Sequence, residues 1–308
     1  MRALVTGAFS NIGASAAEQL VASGTEVRTL TNREPRGRLA DIETHALRFD
    51  PEHLVRAMQG VDVVINSYWV RTPSHGATFA EGIHNSRMLV DAALTAGVRR
   101  FVQISVTHTN ESSRSPYYAG KAVVDDYVRS QFDDHAIVQP SLVVGAKDVL
   151  TSNMAWFVRR MPVIPVPADG FELQPVLLDD LGGLVADAAT ADGTTQLTIE
   201  AVGPERYTFR SYLRLLASAA GLRRRFPPAP EVAFVAGTWF AGKLLRDDLV
   251  TRDEMDSLRK GYLLPAGDAT CTGSVAAWLH ENIDVLGHCY VNDSKTRRES
   301  ARRARTTN

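Results

Sequence analysis

Apolar residues along this chain gather in short β-branched runs separated by longer stretches of helical spacing. The first strand is read at residues 3–6, a helix at 12–23 and a second strand at 26–31. Residues 61–66 form a continuous apolar strand, 78–97 carry helical periodicity, and 101–105 are again strand-like. Strands that lack polar alternation are buried on both faces, and strands separated by helices build a parallel, doubly wound sheet. Ser115 followed by Pro116 gives an N-cap and a first-turn proline, which starts a helix running to about residue 130.

A strand at 137–144 follows, and then Pro162, Pro165, Pro167 and Pro175 mark a change of composition. Beyond it lie a helix at 178–190, a strand at 196–202 and a helix at 207–220. The apolar piece at 232–245 is broken by Gly237, Gly242 and Lys243 and reads as a buried helix. The expected division is an α/β sheet domain over residues 1–150 and a smaller, mostly helical lobe over 151–308, interleaved with the first and ending in a basic tail from about 294.

A chain of 308 residues can hold both, since single cores rarely grow beyond roughly 250–300 residues. Hydrophobic content of 44% and charged content of 22% are those of an ordinary globular protein and exclude the disordered, fibrous and membrane-spanning classes. Lys and Arg number 34 against 35 Asp and Glu, so no general field collects polyanions, and neither nucleic acid nor membrane is an expected partner. Arg223, Arg224 and Arg225 read as solvated surface, and the run from Lys295 through Arg297, Arg298, Arg302, Arg303 and Arg305 as a frayed terminus. Cys271 and Cys289 have neither metal-ligand nor disulfide spacing, and no secretory signal precedes the first strand. A reducing cytoplasm is the expected location, no metal site is expected, and a homodimer is allowed.

Directly after the first strand stands Thr6-Gly7-Ala8-Phe9-Ser10-Asn11-Ile12-Gly13, followed at once by a helix. A pyrophosphate is held where the N–H groups of a tight glycine turn converge on the positive end of a helix, and small residues let phosphate and sheet approach. Gly7 and Gly13 supply that clearance, while Ser10 occupies the place of a usual middle glycine. The expected fold is therefore Rossmann-type, with the C-terminal lobe covering a substrate. The second strand ends Leu30-Thr31-Asn32-Arg33, with Arg36 and Arg38 close behind and no acid at its tip. An acid there would meet a ribose 2′-hydroxyl and an arginine a 2′-phosphate, so NADP(H) is favoured over NAD(H), with Glu34 as a moderating charge.

Tyr117-Tyr118-Ala119-Gly120-Lys121 puts Tyr117 and Lys121 four apart near the start of the helix at Pro116, on one face. Reducing a carbonyl requires a proton for the developing alkoxide, and a tyrosine beside an ammonium is a better-matched donor than a lone one. At the tip of the preceding strand, Ser105 and Thr107 are candidates to polarise the substrate oxygen, and His108 is a candidate base.

Together the TGxxxxxG turn and the Tyr117/Lys121 pair resemble the extended and atypical short-chain dehydrogenase/reductases. Within them the chain is similar to bacterial NAD(P)H-binding proteins often labelled epimerases, to the nucleotide-binding accessory subunit of respiratory complex I and to the nitrogen-repression regulator group. Asn66-Ser67-Tyr68-Trp69-Val70-Arg71, Asn153-Met154-Ala155-Trp156, Gln174-Pro175-Val176 and Trp278-Leu279-His280-Glu281-Asn282 carry that likeness. It implies that Gly7, Phe9, Ser10, Asn11, Ile12 and Gly13 wrap the pyrophosphate, that Asn32 and Arg33 meet the adenosine ribose, and that Asn66 and Ser67 line the cleft. It further implies that Lys121 holds the nicotinamide ribose and that Pro140, Leu142 and Val143 flank the nicotinamide. Val106 aligns with the usual catalytic Ser or Thr, leaving Ser105 displaced by one residue and facing the other side.

The expected function is an NAD(P)(H)-dependent oxidoreductase in which Tyr117, Lys121 and Ser105 act on an apolar small molecule bound by residues 68–75 and 151–174. Three alternatives remain open. The first is a non-catalytic NAD(P)H-binding redox sensor or assembly protein, favoured by the defective strand tip. The others are an epimerase or dehydratase using the same site, and a quinone or flavin reductase whose flat pocket would draw on Tyr68, Trp69, Trp156 and Phe157.

Overall fold

The structure is a computed structural model that describes residues 1–35, 37–70, 73, 78–110, 112–168, 171–245, 255, 258–265 and 267–292, with backbone alone at 239–241 and 244. Arg36, Arg71 and His75, together with the basic tail, lie outside the described residues. Two compact units emerge, Met1–Pro140 with Leu178–Ala201, and Ser141–Leu177 with Val202–Asn308. The chain thus crosses between units at 140/141, 177/178 and 201/202, where the sequence suggests a single seam near 150.

In the first unit the order is β1 (Arg2–Thr6), α1 (Asn11–Ala22), β2 (Glu26–Leu30), β3 (Glu43–His45), α2 (Pro51–Met58), β4 (Val63–Asn66), α3 (Phe79–Thr95), β5 (Arg100–Ile104), α4 (Pro116–Gln131) and β6 (His135–Pro140). The second unit begins with β7 (Val143–Val144), α5 (Val149–Arg160), β8 (Val166–Pro167), β9 (Glu172–Leu173) and β10 (Val176–Leu177). The chain then returns to the first unit as α6 (Leu178–Thr190) and β11 (Gln196–Ala201), and ends in the second with β12 (Tyr207–Thr208), α7 (Phe209–Ala219), β13 (Pro228–Ala229), α8 (Glu231–Leu245) and α9 (Val275–Asn282).

Among the described residues the main sheet has seven strands in the order β11-β6-β5-β4-β1-β2-β3, all neighbours parallel. β1, β4 and β5 are buried throughout except at Arg2, as their lack of alternation requires. The chain runs outward from β1 through β2 and β3, then resumes on the other side of β1 at β4. Ligands of such sheets sit beyond the carboxyl ends of the two strands flanking this reversal. Those ends are Thr6 and Asn66.

Several expectations are corrected. The single strand at 137–144 is two: β6 stops at Pro140, and Val143–Val144 pairs instead with β10. Ser115 stands at the N-cap of α4 with Pro116 behind it, yet its hydroxyl makes no capping bond. The apolar helix at 232–245 forms, but its first turns are exposed, Val232 at 81% and Val235 at 40%, whereas Gly242 near its end is buried. Of the three arginines read as solvated, Arg224 donates to the carbonyls of Val158 at 2.7 Å and Arg159 at 2.9 Å, closing the end of α5.

One buried cation fastens the far side of the sheet. Arg100, fully buried, pairs with Asp134 at 2.8 Å and donates to the carbonyls of Ala191 and Gly193 at 2.6 Å each. These contacts hold the turn between α6 and β11. Asp134 loses some stabilisation to burial, but Arg100 and the Thr195 N–H more than offset it and hold its carboxyl below the usual range. No helix among the described residues is long and apolar enough to cross a membrane.

Candidate cofactor and active site

The chain leaves β1 at Gly7, whose φ of +72° is left-handed and strained for any side chain. The Gly7 N–H donates to the Leu30 carbonyl at 2.8 Å, and its own carbonyl accepts from the Ser10 N–H at 2.8 Å and the Ser10 hydroxyl at 2.6 Å. Ser10 therefore closes the turn upon itself, which explains how the loop forms without a middle glycine. α1 begins immediately after Ser10, and the leading N–H groups of a helix have no acceptor within it while its dipole presents positive charge there. A Cβ on Gly13 would stand 2.4 Å from the Gly7 carbonyl oxygen and 3.0 Å from Ser67 Oγ. Only glycine lets turn, helix and the tip of β4 close to this distance.

Beside this turn the Asn11 side-chain oxygen is buried without a hydrogen-bond partner among the described residues. An orphaned acceptor, a glycine-closed turn and a helix N-terminus fit the diphosphate and ribose of a dinucleotide, with the turn amides meeting the phosphates. Arg33 bends back over the turn, its guanidinium 3.4 Å from the Phe9 carbonyl. Asn32 is used otherwise: its side chain donates to and accepts from the Leu47 backbone at 2.9 Å each way, clipping the tip of β2 to the chain beyond β3. Asp50, two residues past Arg48, is the N-cap of α2 and accepts from the His53 N–H at 2.8 Å.

Asn66 is fully buried. It accepts from the Thr6 hydroxyl at 3.1 Å and donates to Gln103 Oε1 at 2.9 Å, and Gln103 in turn donates to the Ile104 carbonyl at 3.0 Å. This polar row ties together the ends of β1, β4 and β5 and leaves half-buried Ser67, the residue after β4, facing the turn. The Ser67 hydroxyl donates to the Thr6 carbonyl and its N–H to Thr6 Oγ1.

Lys121 lies one turn beyond Tyr117 on α4 and is buried. Its ammonium donates to the Ile104 carbonyl at 2.7 Å and sits 4.7 Å from the centroid of the Trp69 ring. Burial pushes the Lys121 ammonium down to about 8, with the Asp125 carboxylate pulling the other way. Asp125 follows one further turn along the helix, and burial pushes it up to about 6 against the hydrogen bond from Ser105 and the charge of Lys121. The Ser105 hydroxyl donates to Asp125 at 2.5 Å, so it serves the buried carboxyl beneath the strand tip. Thr107 is buried, its N–H 3.4 Å from the Pro140 carbonyl, and His108 adopts a positive φ of 58°, a strained geometry at the head of the loop leading to α4.

Around the Tyr117/Lys121 pair the rings form a wall. Trp69 meets Phe79 at 6.3 Å and the edge of Tyr117 at 6.2 Å, Phe79 meets Tyr117 at 6.1 Å, and Tyr118 meets Tyr117 at 5.3 Å. A Cβ on Gly120 would lie 3.1 Å from Trp69, so the glycine of this motif admits the indole against α4. The Trp69 N–H is buried and has no partner among the described residues. Tyr68 belongs elsewhere: it packs 4.8 Å from Phe49 and accepts a hydrogen bond from Asn85 at 3.0 Å. Phe79, Tyr118 and Asp125 were not singled out from sequence, although Asp125 stands four residues past Lys121, where a charged partner on the same helix face belongs.

Leu142 and Val143 belong to the second unit. Leu142 is buried with its carbonyl accepting from Val176 at 2.9 Å, and Val143 opens β7. Trp156 and Phe157 stack with each other and with Tyr290. Gln174 is buried, donating to the Gly203 carbonyl at 2.8 Å and accepting from Arg206 at 2.9 Å, while Asn153 clips the backbone of Val291. This unit also holds a cavity of about 510 Å³ between Pro167, Phe171, Leu258 and Leu264, with the Glu231–Arg259 ion pair on its wall.

Residues 7–149 match the family model described as NAD(P)H-binding. Among relatives, subunit 9 of the NADH dehydrogenase [ubiquinone] 1 alpha subcomplex from Mus musculus is 27% identical over 239 residues, covering 74% of this chain and 61% of that protein. The chain thus spans about three fifths of that relative's length. Ceramide reductase of Caulobacter vibrioides is 25% identical over 236 residues, covering 74% of this chain and 73% of the relative. Among solved structures, triphenylmethane reductase from Citrobacter sp. superposes with a TM-score of 0.75 at 17% identity, over 92% of this chain and all of that one. The same reductase complexed with NADP(H) matches with a TM-score of 0.67. Residues 7–149, a little under half of the chain, are thus similar to the NAD(P)H-binding family, and the fold is the Rossmann-like one shared with these solved reductases.

Proposed function

We propose that the protein is an NADP(H)-dependent oxidoreductase of the short-chain dehydrogenase/reductase type, acting on the carbonyl of an apolar small molecule. The observation that carries the reading is the Tyr117/Lys121 pair on one face of α4, set against an aromatic wall one strand away from the Gly7–Gly13 turn. A buried lysine with a depressed pKa is costly to a fold and is found where chemistry requires it.

Bound NADPH supplies the hydride that forms the new C–H bond. The Tyr117 hydroxyl gives its proton to the substrate oxygen, and the Lys121 ammonium one turn along favours the phenolate left behind, which regains a proton from water. The Gly7–Gly13 turn and α1 would hold the diphosphate, and Arg33 would favour a 2′-phosphate on the adenosine ribose. Trp69, Phe79 and Tyr118 exclude water and favour a flat or lipophilic substrate, in keeping with a ceramide reductase among the relatives and a dye reductase among the structural neighbours.

One observation favours a second reading, a non-catalytic NAD(P)H-binding subunit or sensor. Ser105 is turned onto Asp125 and Val106 stands in the usual polarising position, so the Ser105 hydroxyl is engaged away from a substrate oxygen. A relative that is named as a subunit of a larger dehydrogenase agrees with it. NADPH oxidation with lipophilic ketones, long-chain aldehydes and quinones separates the two. The enzyme reading expects turnover that Tyr117→Phe lowers by about 10²–10⁴-fold with NADPH binding retained. Tight NADPH binding with no turnover on any of these acceptors would establish the second reading instead.

A further inference from the structure

Ser105 and Asp125 form a buried pair that the proton transfer from Tyr117 does not use. Ser105 follows β5 directly, one residue short of the position a polarising hydroxyl would take, and it donates to Asp125 Oδ2 at 2.5 Å. Both residues are buried, Asp125 completely. Asp125 stands on α4 one turn past Lys121 and two turns past Tyr117, so the three share one face of the helix.

A buried carboxylate is costly unless its charge is balanced nearby. Two cations act on Asp125, Lys121 on one side and Arg129 one turn beyond. Arg129 is partly exposed and already pairs with Asp126 at 2.6 Å, which leaves Lys121 as the buried cation on this face. The other polar neighbours are neutral. Thr109, in the loop after β5, adds a weaker hydrogen bond to Asp125 and takes one from Gln139 of β6 at 2.9 Å. From α3, Arg87 and Asp91 are directed to Tyr127, and His84 is exposed. On its other sides the Lys121 ammonium meets the Ile104 carbonyl and the Trp69 ring, neither of which carries a charge. Burial pushes Asp125 up to about 6 and Lys121 down to about 8, so both are ionised between these values. Against burial, the bond from Ser105 is the strongest influence holding Asp125 down.

We infer that Ser105 and Asp125 are positioning residues for the Tyr117/Lys121 pair: the Ser105 hydroxyl keeps the Asp125 carboxylate ionised and in place, and that carboxylate keeps the Lys121 ammonium charged one turn from Tyr117. The catalytic consequence rests on the oxidoreductase proposed above, whereas the effect on Lys121 can be read without turnover. Ser105 thus serves the reaction from beneath the strand tip, through the acid, without touching the substrate.

The chain has five lysines, Lys121, Lys147, Lys243, Lys260 and Lys295, so carbon-13 NMR of protein labelled at lysine Cε gives few resonances. Lys121→Met assigns the one that disappears. In wild type it should titrate near 8. Asp125→Asn should lower its midpoint by about one pH unit, because the opposite charge is gone. Ser105→Ala should lower it by less, since the carboxyl then takes up a proton more readily, and Ser105→Thr, which retains a hydroxyl, should return it to the wild-type value. In the Asp125→Asn background Ser105→Ala should add nothing, because the serine acts only through the carboxyl. The pH above which kcat/KM declines should move with the NMR midpoint. A Lys121 midpoint unchanged in Asp125→Asn and Ser105→Ala overturns the inference, as does an undiminished serine effect in the Asp125→Asn background. If Asp125→Asn does not fold, Ser105→Ala and Ser105→Thr decide it alone. Shifted midpoints in a chain that binds NADPH without turnover would support the relay and count against the oxidoreductase reading only.

Discussion

The Lys121 ammonium donates to the Ile104 carbonyl at 2.7 Å, which fixes the candidate catalytic lysine to the tip of β5 rather than leaving it free in a cleft. A cation so buried is held at a cost, because below about pH 8 the fold keeps it charged without the hydration it has in the unfolded chain. Lys121→Met is therefore expected to leave thermal stability unchanged or raise it at neutral pH while lowering turnover at least a hundredfold. The sign of the pH effect is specific. The unfolded chain binds a proton to this lysine between about pH 8 and its ordinary value near 10.5, and the native state does not, so stability should rise with pH across that window and the rise should vanish in the variant. Denaturant melts at a series of pH values read this directly.

Asp125 sets the other limb. Its folded pKa of about 6 lies above its ordinary 3.8, so the native state holds the extra proton between these values and stability falls as pH rises through them. Asp125→Asn should flatten that part of the profile. It also removes the charge that raises Lys121, so the pH above which turnover declines, near 8 in wild type, should move lower. A profile of kcat/KM against pH distinguishes this from a merely structural role, which would change amplitude without moving the limb.

The glycine turn makes a sharper demand. Gly13→Ala places a methyl group 2.4 Å from the Gly7 carbonyl, and the turn must open to admit it. Dinucleotide affinity is expected to fall by at least tenfold, with a stability loss of about 1–3 kcal/mol from overpacking. Calorimetric titration and a thermal melt on the same preparation give both numbers.

Far from the site, Arg100→Ala should be among the most damaging single changes. It removes the buried guanidinium from two backbone carbonyls and leaves Asp134 only the half-exposed Arg99 at 2.7 Å, so the loss should approach that of a broken buried pair, about 3–5 kcal/mol. Because Asp134 is held below the usual carboxylate range, the wild-type advantage should be full at neutral pH and be lost as pH falls through the acid range.

Much of the first unit is legible in the chain because its signals are local. Unalternating strands, the glycine turn at residue 7 and the proline at 116 each state their own structure. The same start signal stands at Asp50-Pro51, where α2 is short and follows an exposed three-residue strand, β3, whose weak pattern obscures it. The site is legible in its spacing and obscure in its contacts. Tyr117 and Lys121 can be paired from helical period, but nothing local says that Trp69 lies over the lysine or that Ser105 turns to Asp125. Asn32 at the tip of β2 suggests a ribose ligand, while a backbone clip to Leu47 employs both its polar atoms. The apolarity of α8 was plain and the exposure of its first turns was not, because hydropathy records what a helix carries and not what lies beside it.

The most direct measurement is fluorescence titration of the purified chain with NADPH and NADH, in wild type and in Arg33→Ala. Micromolar NADPH binding that exceeds NADH binding, and that Arg33→Ala weakens roughly tenfold for NADPH alone, is the predicted result. Absence of binding by either nucleotide at millimolar concentration would contradict the cofactor site and the oxidoreductase built upon it.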